Sequence, residues 1–173
     1  MTRITVFAAI CAGLLSAQNT APADQEHWSA LSFLEGTWDA RTQGGTAGAS
    51  ASGTYIFKRE VGGHLLARHS SGAGCKGPGD FDCDHSDLLL IYQEAPGQPL
   101  QGIYFDNEGH VIHYTVSTPA LNSAVLTSDA SAPGPHYRLV YKLEGGVMSG
   151  KFQIQMPGKT PWRSYLEWSG DKR

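Results

Sequence analysis

The chain has 173 residues, the usual length of a single domain. Apolar residues make up 40% and charged residues 17%, which excludes a disordered, highly charged chain and leaves enough apolar mass for a core. The formal net charge of −3 gives no reason to expect nucleic acid or an anionic membrane surface as a partner.

The N-terminal residues 1–17 have the pattern of a secretory signal peptide. A positive charge at Arg3 precedes an apolar run, and small residues then offer a cleavage position after Ala17, with cleavage after Ala23 as the alternative. The apolar run is too short to span a bilayer, and no later run is long enough to do so. We therefore expect an exported protein, periplasmic or extracellular, without stable membrane insertion.

Export makes the cysteines informative. Removal of the signal peptide takes Cys11 away and leaves Cys75 and Cys83, an even pair in an oxidising compartment. The residues between them are rich in turn formers, so we expect a disulfide that closes a loop, with a zinc or redox pair as the alternative. A loop this short predicts a stabilisation of roughly 2–3 kcal/mol.

The folded domain, expected over residues 24–173, begins with the one helical segment of the sequence. Asp24 can cap this helix, and apolar side chains recur at three-residue spacing up to Leu34, before Gly36 ends it. Ten short segments of strand character follow, separated by turns that contain Gly, Pro or Asn. These predicted strands cover residues 36–43, 52–59, 64–71, 85–94, 100–106, 110–117, 122–128, 136–143, 147–156 and 162–168. The low-complexity segment from Gly44 to Gly53 is expected to be a flexible loop.

The connections between these strands are short, which makes neighbouring strands antiparallel in a meander. Several strands have one apolar face. Tyr137, Leu139 and Tyr141 share such a face, as do Phe152 and Ile154. Closing the sheet into a barrel buries this face and removes edge strands. We therefore predict an all-β fold, a single antiparallel meander barrel of about ten strands, which has room for a ligand cavity.

A short helix, the sequence Phe33-Leu34-Glu35-Gly36-Thr37-Trp38 and an all-β meander together resemble the calycin superfamily. The segment from Ile103 to Tyr114 further resembles a hairpin of the lipocalin-like DUF1579 group of exported bacterial proteins. The resemblance covers roughly residues 30–168 and implies a lipocalin-like barrel more than an activity. It implies a Gly-x-Trp motif at the start of the first strand, where Gly36 allows close packing and Trp38 closes one end of the barrel. The alternative role for Trp38 is the floor of a ligand pocket.

Candidate ligand contacts are aromatic side chains on inward faces and two residues of the last strand. They are Tyr55, Tyr104, Tyr114, Tyr141, Phe152, Arg163 and Tyr165. Arg163 and Tyr165 are similar to the Arg-x-Tyr pair of fatty-acid-binding proteins, which holds a ligand carboxylate. This resemblance implies that Arg163 anchors an amphipathic acid. The alternative places Arg163 outside the barrel, with Trp162, Leu166 and Trp168 inside.

Asp106 and His110 flank a three-residue turn, so they can pair across it on one face of the sheet. A catalytic interpretation makes His110 a base that Asp106 orients. It lacks a nucleophile, because no serine lies in a Gly-x-Ser-x-Gly motif. We therefore expect this pair to stabilise the turn, and we predict no catalytic residue.

The sequence predicts no metal site, because its histidines and acids form no compact zinc signature. The histidines and the aspartate that could serve as metal ligands are His64, His69, His85, Asp87, His110 and His113. Haem has a precedent in the nitrobindins, similar ten-stranded barrels that hold haem through a histidine of the final strand. This chain has no histidine after His136, so Tyr165 is the candidate axial ligand if haem is bound.

These patterns favour a non-catalytic barrel that binds a small hydrophobic or amphipathic molecule and needs no cofactor. The alternatives are a nitrobindin-like haem barrel, a hydrolase-like enzyme that uses His and Asp for acid–base chemistry, and a barrel filled with side chains. The volume of the cavity distinguishes a ligand-binding barrel from a barrel filled with side chains. The enzyme requires two titratable groups that converge inside the cavity. The sequence does not decide between monomer and dimer.

Overall fold

The computed structural model describes residues 23–79, 81–131, 133–158 and 161–173, and the predicted signal peptide lies outside these ranges. The helix α1 spans Ala23–Ala30, and short 3-10 helices lie at Ser32–Leu34 and Val61–Gly63. The ten strands are β1 (Gly36–Gly44), β2 (Ser50–Glu60), β3 (Leu65–Lys76), β4 (Ser86–Tyr92), β5 (Gln101–Asp106), β6 (Val111–Ala120), β7 (Ser123–Ser128), β8 (His136–Glu144), β9 (Val147–Gln155) and β10 (Arg163–Lys172). Among the helices in these ranges, none has the length and apolar character needed to cross a bilayer.

The ten strands form a closed barrel. Each strand pairs antiparallel with the next in the chain, and β1 pairs with β10 to close the sheet. Trp38 lies opposite Lys172 in this closing pair, and Arg41 lies opposite Ser169. The predicted all-β meander barrel is therefore confirmed, and every strand has a partner along both edges.

One end of the barrel is closed by the segment that precedes β1. Leu31, Leu34 and Trp38 are fully buried there, and the indole Nε1 of Trp38 donates a hydrogen bond of 2.8 Å to the carbonyl of Leu34. Gly36 has a φ of 123°, and a Cβ atom at this position would lie 2.7 Å from Cε of Lys172. Trp38 does not line the cavity described below. This geometry favours the role of a plug over that of a pocket floor.

A layer of aromatic side chains fills the barrel above this plug. Tyr55 stacks on Trp38 with ring centroids 6.4 Å apart, and Phe57 meets Tyr141 edge-on at 5.5 Å. Tyr141 in turn contacts the Trp168 indole edge-on at 5.8 Å. Rings packed in this way bury large apolar areas, so this half of the barrel is a solid core.

The β2–β3 hairpin is longer than the sequence pattern indicates. β2 begins at Ser50 and β3 continues to Lys76, so the expectation of a loop throughout Gly44 to Gly53 is wrong. Ser50 pairs with Lys76, and the Thr42 hydroxyl donates to the carbonyl of Ala51. Backbone pairing of this kind needs no apolar side chains, so a Gly-, Ala- and Ser-rich segment can continue a strand.

The predicted disulfide joins Cys75 and Cys83, whose Cα atoms lie 5.4 Å apart. It ties the end of β3 to the segment that leads into β4.

The predicted helix over Asp24 to Leu34 is divided in the structure between α1 and the 3-10 helix that follows it.

Candidate ligand site in the open half of the barrel

A cavity of about 630 Å³ occupies the half of the barrel opposite the Trp38 plug. Its lining includes many aromatic and aliphatic side chains. Among them are Tyr55, Tyr104, Ile112, Tyr114, Tyr137, Leu139, Phe152, Tyr165, Leu166 and Trp168. A volume of this size and an apolar lining are typical of small-molecule sites, and they disfavour a barrel filled throughout by side chains.

Small residues on neighbouring strands explain why this half is hollow. Residues 51–53 of β2 and 70–74 of β3 are Ala, Ser and Gly, and most of them line the cavity. Such side chains cannot reach the barrel axis, so they leave the space that larger side chains fill near the plug. On the far wall, the Trp168 ring lies over Gly150, where a Cβ atom would approach the indole to 2.1 Å.

A buried ion pair lies at the inner wall of the cavity. Arg68 of β3 is only 5% exposed, and its guanidinium donates to Oδ1 of Asp87 at 2.5 Å and to the hydroxyl of Tyr141. Burial alone would raise the pKa of Asp87. The Arg68 charge and the hydrogen bonds to this carboxylate outweigh burial and lower the pKa to about 2. Both partners are therefore ionised at neutral pH.

His85 extends this polar group toward the mouth of the cavity. Its Nε2 lies 3.1 Å from the Tyr104 hydroxyl and 3.4 Å from Oδ2 of Asp87. Its Nδ1 faces the carboxylates of Asp82 and Glu108 at 3.8 and 3.7 Å. The hydrogen bond with Asp87 raises the pKa of His85 against the opposing effect of burial. Two titratable side chains, His85 and Asp87, thus converge on the cavity.

The pairing of Asp106 with His110 is confirmed. Nδ1 of His110 lies 2.9 Å from Oδ2 of Asp106, and Oδ1 of Asp106 accepts the backbone N–H groups of Glu108 and His110. Burial raises the pKa of Asp106, but the hydrogen bonds from His110 outweigh it and give a net lowering. These contacts hold the β5–β6 turn at the cavity mouth, as expected of a turn-stabilising pair.

Four buried polar atoms of the lining residues form no hydrogen bond of normal geometry. They are Nε of Arg68, the hydroxyls of Tyr55 and Tyr114, and Nε1 of Trp168. The Trp168 indole lies near enough to the Tyr55 hydroxyl to influence its pKa, but burial dominates and raises that pKa. Burial also raises the pKa of Tyr114, so both hydroxyls keep their protons at neutral pH. Unpartnered buried polar atoms are costly, so these four groups are the least satisfied polar part of the core beside the cavity.

The structure brings most of the predicted contact residues to the cavity. Five of them line it: Tyr55, Tyr104, Tyr114, Phe152 and Tyr165. Tyr141 is fully buried beneath the cavity, where its hydroxyl holds Arg68. A contact between any of these residues and a ligand stays a prediction.

Arg163 lies outside the barrel, so the expectation that it shares an inward face with Tyr165 is wrong. The cause is a β-bulge in β10: Ser164 and Leu166 pair with consecutive residues of β9, and Tyr165 is the extra residue between them. Tyr165 and Leu166 line the cavity, whereas Arg163 is exposed and does not. The Arg-x-Tyr resemblance therefore does not provide an anchor in this chain.

Sequence reasoning did not identify Arg68, and it treated His85 and Asp87 only as candidate metal ligands. The alternation of the strands contained the missing signal. Arg68 is two residues from the buried Leu66, and Asp87 is two residues from the buried Leu89, so both charged side chains lie on core faces. Opposite charges on the inward faces of neighbouring strands indicate a buried ion pair.

Two groups of side chains bring possible metal-ligand atoms within 4.8 Å of one another. One group is Asp82, His85 and Glu108, and the other is Asp106, Glu108 and His110. These residues already form ion pairs among themselves, and exposed acidic groups of this kind are common without a metal. The prediction of no metal site stays untested.

The lining fits haem poorly. Tyr165 lines the cavity, but its ring packs edge-on against Phe152 at 6.2 Å. The lining carries four carboxylates, those of Asp82, Asp87, Asp106 and Glu108. They would repel the anionic propionates of a haem, so the charges argue against the haem alternative.

No protein-family model matches this chain, and the comparison with curated proteins finds no match. The functional conclusion therefore rests on the geometry and chemistry of the cavity.

Proposed function

We propose that this protein binds a small, largely apolar molecule with a polar head in the open half of its barrel, without catalysis. The observation that carries the proposal is the cavity itself, about 630 Å³ in volume, with a mainly apolar lining and a few polar residues such as His85, Asp87 and Tyr104. That composition is the usual one for a small-molecule site, where apolar contacts supply affinity and a few polar atoms fix orientation.

The proposal includes export and a lipocalin-like classification. The Cys75–Cys83 disulfide supports an oxidising compartment, and the signal-peptide pattern of residues 1–17 gives the route. N-terminal sequencing of the exported fraction is expected to start near Gln18 or Asp24, and thiol titration is expected to find no free thiol. An intact Met1 or a reactive thiol in the mature chain would contradict this part of the proposal.

Binding in the cavity is tested with a neutral, environment-sensitive fluorophore, N-phenyl-1-naphthylamine. The matched variants are Ile112→Trp and His113→Trp, adjacent residues of β6. Ile112 lines the cavity, whereas His113 is exposed on the outer face. We expect saturable binding of one probe per wild-type chain, at least about tenfold weaker binding in Ile112→Trp because the indole fills the cavity, and no change in His113→Trp.

Circular dichroism and urea unfolding are used to check that both variants are folded. Equal probe affinity in the two folded variants would place the probe outside the cavity and contradict the proposal. Absence of saturable binding to the wild-type protein would contradict it as well.

One observation favours a second candidate, an enzyme that uses acid–base chemistry. His85, Asp87 and Tyr104 converge at the cavity, with the short contacts given above. Within the described ranges, the hydrogen-bonding and ion-pair contacts of His85 join it to Tyr104 and to carboxylates, not to a serine hydroxyl. Such an enzyme would therefore activate water or a substrate proton directly.

An aryl-ester hydrolysis assay separates the two candidates, with His85→Gln as the variant. If the protein is an enzyme with His85 as its base, His85→Gln should lower the rate of ester hydrolysis by roughly 100-fold or more. If it only binds a ligand, the wild-type protein should hydrolyse the ester no faster than free imidazole does.

A further inference from the structure

The carboxylates that line the cavity differ in how far their charges are already balanced. Asp87 is paired with Arg68, and the side chain of Asp106 is 4% exposed and holds its own turn. The Asp82 and Glu108 side chains are 23% and 44% exposed, so a ligand can reach them. Both also line the cavity, and a ligand that enters it therefore meets their charges.

Little positive charge opposes these two accessible carboxylates. Among the residues that the structure describes, the one basic group within 4 Å of either is the His85 imidazole. Its Nδ1 lies 3.8 Å from Asp82 and 3.7 Å from Glu108, which is too far for a normal hydrogen bond. Asp82 accepts hydrogen bonds from the Asn107 side chain and from the backbone N–H of Asp84, but these donors are neutral. At most one positive charge therefore faces two negative charges.

The two arginines of the lining are matched by other carboxylates. Arg68 is paired with Asp87, and Arg41 is paired at 2.6 Å with Asp171, which does not line the cavity. The hydrogen bond to Asp87 and the charges of the surrounding carboxylates raise the pKa of His85, although burial opposes this. The lining thus favours a positive charge beside its accessible carboxylates and disfavours an anion there.

One ammonium group can reach both accessible carboxylates. An oxygen of Asp82, an oxygen of Glu108 and a ring nitrogen of His85 all lie within 4.8 Å of one another. An ammonium nitrogen placed about 2.8 Å from each oxygen spans this gap with two charge-assisted hydrogen bonds. Apolar lining begins nearby, because Nε2 of His85 lies 3.1 Å from the Tyr104 hydroxyl and Tyr104 pairs with Ile112. An amine with an apolar body thus finds its charge partners next to apolar surface.

We propose that the ligand is an amphipathic amine, whose ammonium group is bound by Asp82 and Glu108 and whose alkyl or aryl body lies in the cavity. This inference rests on the proposed binding function and specifies its ligand class. The stacked rings of Tyr137 and Phe152, with centroids 5.7 Å apart, are part of the apolar surface available to that body. The amine replaces the amphipathic acid expected from Arg163, because the unbalanced charges of the lining are negative.

A series with one alkyl chain tests the ligand class: decylamine, 1-decanol and decanoate. Each competes with N-phenyl-1-naphthylamine for the wild-type protein at neutral pH, below micelle-forming concentrations and with EDTA present to keep metal ions off the carboxylates. We expect decylamine to bind at least about tenfold more tightly than 1-decanol, and decanoate to bind most weakly. Because the two carboxylates are partly exposed, about 0.5 M NaCl should remove most of the advantage of the amine while leaving the affinity for 1-decanol nearly unchanged.

Glu108→Gln is the matched variant, because Glu108 lies in an exposed turn and bonds to Asp106 through its backbone N–H, which the substitution keeps. It is expected to keep the wild-type urea midpoint and to weaken decylamine by roughly threefold to tenfold while leaving 1-decanol unchanged. Adding Asp82→Asn should remove the remaining preference for the amine. Glu144→Gln is the control, because it removes a carboxylate of β8 that does not line the cavity, and it should change neither affinity. If the double variant fails to fold, Glu108→Lys replaces it and should make decanoate bind more tightly than decylamine.

Tightest binding of 1-decanol or decanoate would overturn the inference, as would equal affinities for all three compounds. A preference for decylamine that the double variant leaves intact would overturn it too, since the ammonium group would then lie elsewhere. In each of those outcomes the probe still binds in the cavity, so the proposed binding function stands. Failure of the wild-type protein to bind the probe would instead refute the proposed function, and the inference with it.

Discussion

Replacing Asp87 with Asn is expected to destabilise the protein strongly, because it removes the charge that compensates Arg68. The Arg68 side chain is 6% exposed and the Asp87 side chain 8%, so water cannot take over the role of the lost carboxylate. Breaking a buried ion pair by removing one partner costs about 3–5 kcal/mol. A domain of this size has a total stability of roughly 5–15 kcal/mol, so the loss is a large fraction of it.

The pH dependence of unfolding gives a second measure of how much the ionised Asp87 carboxylate stabilises the fold. The pKa of Asp87 is lowered from 3.8 to about 2 in the folded protein. A lowered pKa means that this carboxylate contributes its full stabilisation above about pH 4 and loses it as the pH falls toward 2. The difference corresponds to roughly 2 kcal/mol. The stability gap between wild type and Asp87→Asn should therefore narrow by about that amount in acid.

Urea unfolding followed by tryptophan fluorescence measures these differences, provided that the m-value is unchanged. Arg68→Met and the double variant Arg68→Met with Asp87→Asn complete the cycle. The double variant is expected to be at least about 2 kcal/mol more stable than Asp87→Asn, because no buried charge is left uncompensated. Asp171→Asn is the exposed control. It breaks the 2.6 Å pair with Arg41, in which both side chains are at least half exposed, and should cost less than about 1 kcal/mol. A similar small loss in Asp87→Asn would refute the buried-pair reasoning.

Three further predictions concern the plug, the Gly150 wall and the histidine at the mouth. Trp38→Ala should lose about 3–5 kcal/mol of unfolding free energy in urea, because the indole is fully buried; a loss under about 1 kcal/mol would contradict the plug. Gly150→Ala should lose more than about 2 kcal/mol, since its Cβ would overlap the Trp168 ring, whereas Gly44→Ala, with open space around it, should change stability by less than about 0.5 kcal/mol. Equal thermal midpoints for these two variants would contradict that packing. NMR titration of His85 should give a pKa above 6.5. The protonated imidazole then stabilises the fold fully below pH 6.5, and this stabilisation is lost as the pH rises through the folded-state pKa. A pKa below 6.5 would contradict the carboxylate contacts of His85.

Strand alternation and turn chemistry predict the barrel, because several strands carry a period-two pattern and the breaks between strands contain turn-forming residues. The same patterns could not predict on which face of β10 Arg163 lies. A bulge at Tyr165 reverses the alternation after that point, and bulges depend on pairing with the neighbouring strand rather than on local composition. Arg68 was missed for a related reason. The alternation within β3 indicates that Arg68 faces inward, but the Asp87 carboxylate that compensates its buried charge lies on another strand.

The seam between the first and last strands determines when the barrel can be completed. Arg173 reaches the Asp39 carboxylate across a separation of 134 residues, and its backbone N–H donates to the carbonyl of Thr37 at 2.9 Å. Successive hairpins can form between strands that are neighbours in the chain, but β1 cannot pair with β10 until the nine strands that follow β1 are all available. Contacts this distant in sequence slow folding, and until they form β1 and β9 keep unpaired edges that can template aggregation. Truncation within β10 would make that vulnerable intermediate permanent.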